Sequence, residues 1–140
     1  MQLSGKPYNY QMDALLLTPT FTFHIEVKNY TGTLWFDDPF DQMIRTNEET
    51  EEGFRNPIHQ VVRHREKLLP LIPGPLASCI VINRSSTILK SLNAKKRNTD
   101  IPIIHRHNLL HHFKALEEQF SSAPVFRKKN ERRRYVSSLN

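Results

Sequence analysis

The stretch Phe21-Thr22-Phe23-His24-Ile25-Glu26-Val27-Lys28 alternates without a break between apolar and polar residues. Phe21, Phe23, Ile25 and Val27 make one set; Thr22, His24, Glu26 and Lys28 make the other. A period of two is the signature of a β-strand, whose successive side chains point to opposite faces. One face is therefore core-directed, and Glu26 and Lys28 project together from the other. An acid and an amine in that relation suit two roles. They are either two solvated residues on the sheet, or a cation ligand with a positive partner for a phosphate.

Working outward, Tyr8 to Leu17 reads as a preceding strand interrupted by Asp13, and Thr18-Pro19-Thr20 as the turn, since proline cannot sit in a central ladder. A loop over 18–21 pairs Leu17 with Thr22 and Asp13 with Glu26. Directly opposed residues hold their Cβ atoms roughly 4.5–5.5 Å apart. Two carboxylates that close repel unless a cation lies between them or one is protonated. A loop shorter by one residue pairs Asp13 with Ile25 instead, so the register is an expectation.

Beyond Thr31-Gly32, Thr33 to Phe36 reads as a third short strand. The acidic segment from Asp37 to Gly53 has no clear period and reads as a loop. Asn56-Pro57 is a helix start, an Asn N-cap followed by proline at the first helical position. Ile58, Val61, Val62, Leu68 and Leu69 form its apolar stripe, with Gln60, Arg63, His64 and Lys67 off it. Pro70 and Pro73-Gly74-Pro75 end it. Ser78 to Asn83 is an apolar strand of the central kind. Thr87 to Leu92 is a strand or a helix start, Lys95 to Asn98 a polar turn, and Ile101 to His105 an edge strand because of Pro102. His107 to Phe120 is a helix with Leu109, Leu110, Phe113, Leu116 and Phe120 on one face. This order predicts an α/β domain over residues 1–120, a mixed sheet with flanking helices. Residues 121–140 read as a basic, flexible tail.

The chain has 140 residues and a formal charge of +6, unevenly spread. Asp37 to Glu52 is acidic apart from Arg45, whereas Arg127 to Arg134 is basic apart from Glu131. A basic tail supports a polyanionic partner only weakly. The single cysteine, Cys79, lies in an apolar run and reads as a buried small hydrophobe. No apolar run reaches the roughly 18 residues of a membrane helix. Residues 1–7 lack the layout of a secretion signal, so the expected compartment is the cytoplasm, with no membrane partner.

Three words in the chain carry a resemblance: Gln11-Met12-Asp13, Ile25-Glu26-Val27-Lys28-Asn29-Tyr30-Thr31-Gly32, and Asn56-Pro57-Ile58-His59-Gln60, the last led by Gly53-Phe54-Arg55. Their spacing resembles the nuclease-related domain (NERD), a branch of the PD-(D/E)xK nucleases, from about Tyr8 to Ile82. The resemblance implies a restriction-endonuclease-like fold. It implies that Asp13 and Glu26 hold a metal, Mg²⁺ or Mn²⁺, and that Lys28 sits near the attacking water and the phosphate. It also implies that Gln60 supports the site, giving the catalytic set Asp13, Glu26, Lys28 and Gln60. Lys28, Arg63 and Lys67 are the expected nucleic-acid contacts, with DNA as the expected partner. Because 1–7 is too short for the helix that usually precedes the first strand, the chain resembles a shortened member.

Other residues have readings of their own. His24 shares a strand face with Glu26 and suits either a site lining or, as favoured, an exposed position. His107 and His111 have the spacing of a zinc pair without a third ligand, which favours a solvated face. Tyr30 and Trp35 suit core or rim packing more than base stacking. The leading functional expectation is a Mg²⁺-dependent nuclease or nuclease-derived DNA-processing module. Its rivals are a non-catalytic nucleic-acid-binding or regulatory module and a remnant with no active site.

Overall fold

The alternating stretch lies at the centre of the main sheet. The computed structural model describes residues 11–92, 101–125 and 135–138. Strands β1 (Gln11–Leu17) and β2 (Thr22–Lys28) form an antiparallel hairpin. The Thr18 hydroxyl closes its turn, donating to the Phe21 carbonyl at 2.7 Å and accepting from the Phe21 N–H at 3.0 Å. The loop is the longer of the two considered, so Leu17 opposes Thr22 and Asp13 opposes Glu26.

The chain then builds a second sheet before returning. β3 (Thr33–Asp37) pairs with β4 (Gln42–Asn47), and β4 with β5 (Thr50–Arg55). Gly32 makes this departure possible: its φ is +85°, and any side chain there would run into the Thr46 carbonyl. The acidic segment expected as a loop is therefore mostly a hairpin. Its burial alternates only on β4, where Met43 and Arg45 turn inward, while β5 is almost wholly exposed. Glutamates blunt that edge instead of marking a loop.

Helix α1 (Pro57–Leu68) follows, capped as the sequence predicts: Asn56 Oδ1 accepts from the Ile58 N–H at 3.1 Å. After a short 3₁₀ turn over Leu69–Leu71 come β6 (Leu76–Ile82), β7 (Ile88–Ser91), β8 (Ile103–His105), α2 (Leu109–Gln119) and β9 (Tyr135–Ser138). The main sheet runs β8-β6-β2-β1-β9 and the second β5-β4-β3-β7, each mixing parallel and antiparallel pairs. The α/β class with flanking helices is as expected. Within the stretch expected to be a flexible tail, Tyr135–Ser138 instead adds a strand to β1. The Lys95–Asn98 turn, the basic run Arg127–Arg134 and the missing-helix segment 1–7 lie outside the described residues.

Both faces of the main sheet are covered. Cys79 and Val81 on β6 join Phe21, Phe23 and Ile25 in one apolar cluster under α2. Ile80 and Ile82, one residue out of phase, join Ile58, Val61, Leu34, Phe36 and Met43 in another, under α1 and the second sheet. Rings dominate the α2 side: Phe21 lies 5.2 Å from Phe120 and Phe23 lies 6.1 Å from Phe113 between centroids.

Candidate active site and metal centre

The polar row of β2 does not meet solvent. His24 is 1 % exposed, Glu26 0 % and Lys28 5 %, whereas Val27 on the apolar face is only partly buried. Alternation fixes which residues share a face but not what covers it. Here α1 lies across the polar row, and residues one helical turn apart, Gln60 and His64, reach it. The exposed position favoured for His24 is thus corrected: the second sheet and α1 bury its face.

Lys28 Nζ donates to Gln60 Oε1 at 2.6 Å. His64 Nδ1 and Glu26 Oε1 share a hydrogen bond at 2.8 Å. His24 Nδ1 shares a hydrogen bond with Ser78 Oγ at 3.2 Å, and that oxygen also accepts from Arg65 Nη1 at 3.2 Å. The parallel β2–β6 register explains this last set, because it places Ser78 beside His24. Three of these contacts join β2 to α1 or β6 and the fourth joins α1 to β6, so the row is cross-braced.

Of the expected site residues, Glu26, Lys28 and Gln60 are brought together. Asp13 enters as a backbone position directly across from Glu26 on β1. Arg63 and Lys67 are exposed on α1. Two residues were not assigned to the site from the sequence. His64 follows Gln60 by four, a spacing that puts both on one helix face. His24 precedes Glu26 by two, which places it beside the carboxylate.

His24, Glu26 and His64 each offer a ligand atom, and these atoms lie within 4.8 Å of one another, the only such group among the described residues. Two imidazoles and a carboxylate are a donor set that divalent cations accept. His107 and His111 remain exposed on the far side of the sheet. Tyr30 packs against the core with its ring 5.5 Å from Phe54, and Trp35 lies beneath Lys90 Nζ at 4.9 Å, in keeping with the packing roles expected of them.

Burial also shifts protons nearby. It raises the Tyr30 hydroxyl above the ordinary tyrosine value, with Arg45 opposing, and pushes the Cys79 thiol up to about 12. Burial, then the neighbouring His111, lowers His112.

No helix among the described residues is long and apolar enough to cross a membrane. No curated protein and no solved structure matches the chain. One family does: the model of the nuclease-related domain, whose general kind is the PD-(D/E)xK nucleases, matches residues 3–106. That span takes in the β1–β2 hairpin, the second sheet, α1 and β6, hence every residue of the polar row. The chain belongs to the nuclease-related domain family.

Proposed function

We propose that the chain is a metal-dependent phosphodiesterase acting on nucleic acid, DNA in the first instance. The supporting observation is the buried row of Glu26 and Lys28 with Asp13 in register across from it and Gln60 holding the amine. A lysine is seldom buried unless something uses its charge or satisfies it.

In this reading Asp13 and Glu26 supply the oxygen ligands for a divalent cation, Mg²⁺ or Mn²⁺. When bound, such a cation lowers the pKa of water and offsets charge on the phosphate. Lys28 places a fixed positive charge where negative charge grows during attack. Gln60 is a positioning residue: its carbonyl oxygen takes one ammonium proton and fixes the amine in the row. The second sheet and α1 exclude water from around the amine, which strengthens its field. Arg63 and Lys67, exposed on α1, meet the nucleic-acid backbone.

The test is cleavage of plasmid and single-stranded DNA by purified protein with Mg²⁺ or Mn²⁺. Loss of one such electrostatic group costs about 10²–10³ in rate, so Lys28→Ala should fall by that factor with its fold intact. Cleavage unchanged in the variant defeats the assignment. The complete burial of Glu26 favours one other reading, a nucleic-acid-binding or regulatory module without turnover. Binding that weakens steeply with salt, without cleavage under any metal, would establish it.

A further inference from the structure

We propose that His24, Glu26 and His64 form a binding site for a borderline divalent transition ion of the Zn²⁺ or Co²⁺ class, one that discriminates against Mg²⁺. The inference shares with the proposed function the use of Glu26 as a cation ligand, but not the cleavage of any substrate. It changes which side chains complete the site and which metal they choose.

The three groups come from two elements. His24 and Glu26 are two apart on β2 and share its buried face. His64 arrives from α1, and its ring centroid lies 6.2 Å from that of His24 at an interplanar angle of 62°. All three ligand atoms lie within 4.8 Å of each other. Bonds of about 2.0–2.2 Å require ligand atoms roughly 3–3.5 Å apart, so the triangle has to tighten. His64 is the member able to do this, being the one whose side chain reaches solvent, at 18 % exposure. The same exposure gives an ion its way in.

The orientation of His24 is set by a second layer of contacts. Ser78 holds one ring nitrogen, and Arg65 holds Ser78. Metal-binding histidines are ordinarily oriented in this way, and losing such an orienting partner costs about 10–100-fold in affinity. Arg65 and His64 are neighbours on α1, so one helix supplies both a ligand and the brace of another.

The donor chemistry selects the ion. Mg²⁺ is hard, takes oxygen and keeps most of its waters. Imidazole suits Zn²⁺ and the later first-row ions. Two histidines with one glutamate recur as the ligand set of catalytic zinc centres, which keep a further position open. Asp13 stands in register across from Glu26 on the neighbouring strand.

The experiment strips the full chain with chelator and titrates it with Zn²⁺, Co²⁺, Mn²⁺ and Mg²⁺. Calorimetry gives affinity and stoichiometry, the visible spectrum of Co²⁺ reports nitrogen ligation, and melting without metal checks the fold. His64→Gln keeps a hydrogen-bond donor for Glu26 but gives up the imidazole; His24→Asn is the second variant, in case the first disturbs packing. The expected result is one Zn²⁺ or Co²⁺ per chain, bound far more tightly than Mg²⁺. Each variant should weaken it at least about tenfold, since a lost ligand costs no less than a lost orienting partner. Zn²⁺ and Mg²⁺ curves that coincide overturn the proposal, as does Zn²⁺ binding unchanged in both variants. Tight one-to-one Co²⁺ binding with no DNA cleavage under any ion supports this site while removing the nuclease reading. Mg²⁺-driven cleavage indifferent to His64→Gln, with no preference for Zn²⁺, does the reverse.

Discussion

The two faces of β2 are both buried and chemically opposite. Phe21, Phe23 and Ile25 meet the rings of α2; His24, Glu26 and Lys28 meet α1. The apolar face gains free energy from leaving water, about 25 cal/mol per Å² of apolar surface. The polar face loses hydration and recovers it only through cross-bracing hydrogen bonds and charge pairs. A strand with two apolar faces would be the more stable choice. An acid, an amine and an imidazole in the middle of the domain are thus what the proposed site would cost in stability.

The largest effect should come from the apolar face. Phe23 is fully buried against Phe113, so Phe23→Ala should cost about 3–5 kcal/mol in urea or thermal unfolding. Cys79, in the same cluster, gives an independent readout. Its thiol is held near 12 against 9.0 in the open chain, so labelling at neutral pH should require unfolding, and Phe23→Ala should accelerate it. Because the folded value is the higher one, this group's contribution to stability is intact below pH 9 and declines as pH rises from there towards 12. A cost under 1 kcal/mol would mean that α2 does not close the apolar face.

The polar face should respond with the opposite sign. Glu26→Gln combined with Lys28→Met removes both charges at nearly constant volume. Replacing buried charges by neutral groups is often neutral, or stabilising by about 1–4 kcal/mol. The double variant should therefore melt no lower than the parent while losing any cleavage and metal response. A large destabilisation would show that the charged row holds the fold together, and the contrast between faces would fail.

How much of this the sequence could reveal follows from what each signal measures. Alternation reports the faces of β2, and Pro19 with Thr18 reports the turn, but two loop lengths fit that turn, so the fold itself decides that Asp13 opposes Glu26. The cap at Asn56-Pro57 is legible locally. What covers the polar face is not, because the second sheet and α1 reach it through tertiary packing. The acidic hairpin is hidden too: β5 has almost no buried residue, and on β4 the inward pair is Met43 with Arg45, the latter paired with Glu52 at 2.6 Å. β9 hides behind a basic run because pairing with β1, not its own pattern, makes it a strand. His64 was within reach, four residues after Gln60, but only once α1 was known to turn that stripe inward.

A smaller effect tests the helix that closes the polar face. Asn56 is buried and caps α1 through the Ile58 N–H. Asn56→Ala should cost about 1 kcal/mol. The loss falls on the first turn, next to Gln60, so it should loosen the hold on Lys28 before it touches His64. In the proposed enzyme, cleavage should then fall while metal affinity stays nearly constant; equal losses in both would mean that α1 moves as one rigid body.

The smallest effect comes from a second imidazole–carboxylate pair on the same helix. His59 Nε2 lies 2.5 Å from Asp41 Oδ1, closer than His64 lies to Glu26, yet both its members are half exposed. If separation governed strength, this pair would be the stronger. Solvent screening says otherwise: exposed pairs are worth about 0–1 kcal/mol and weaken further with salt. His59→Ala should therefore shift unfolding by less than about 1 kcal/mol, and the shift should shrink between low and high salt. A larger, salt-independent loss would mean that Asp41–His59 is a structural clamp between the β3–β4 turn and α1, and burial would no longer be what separates the two pairs.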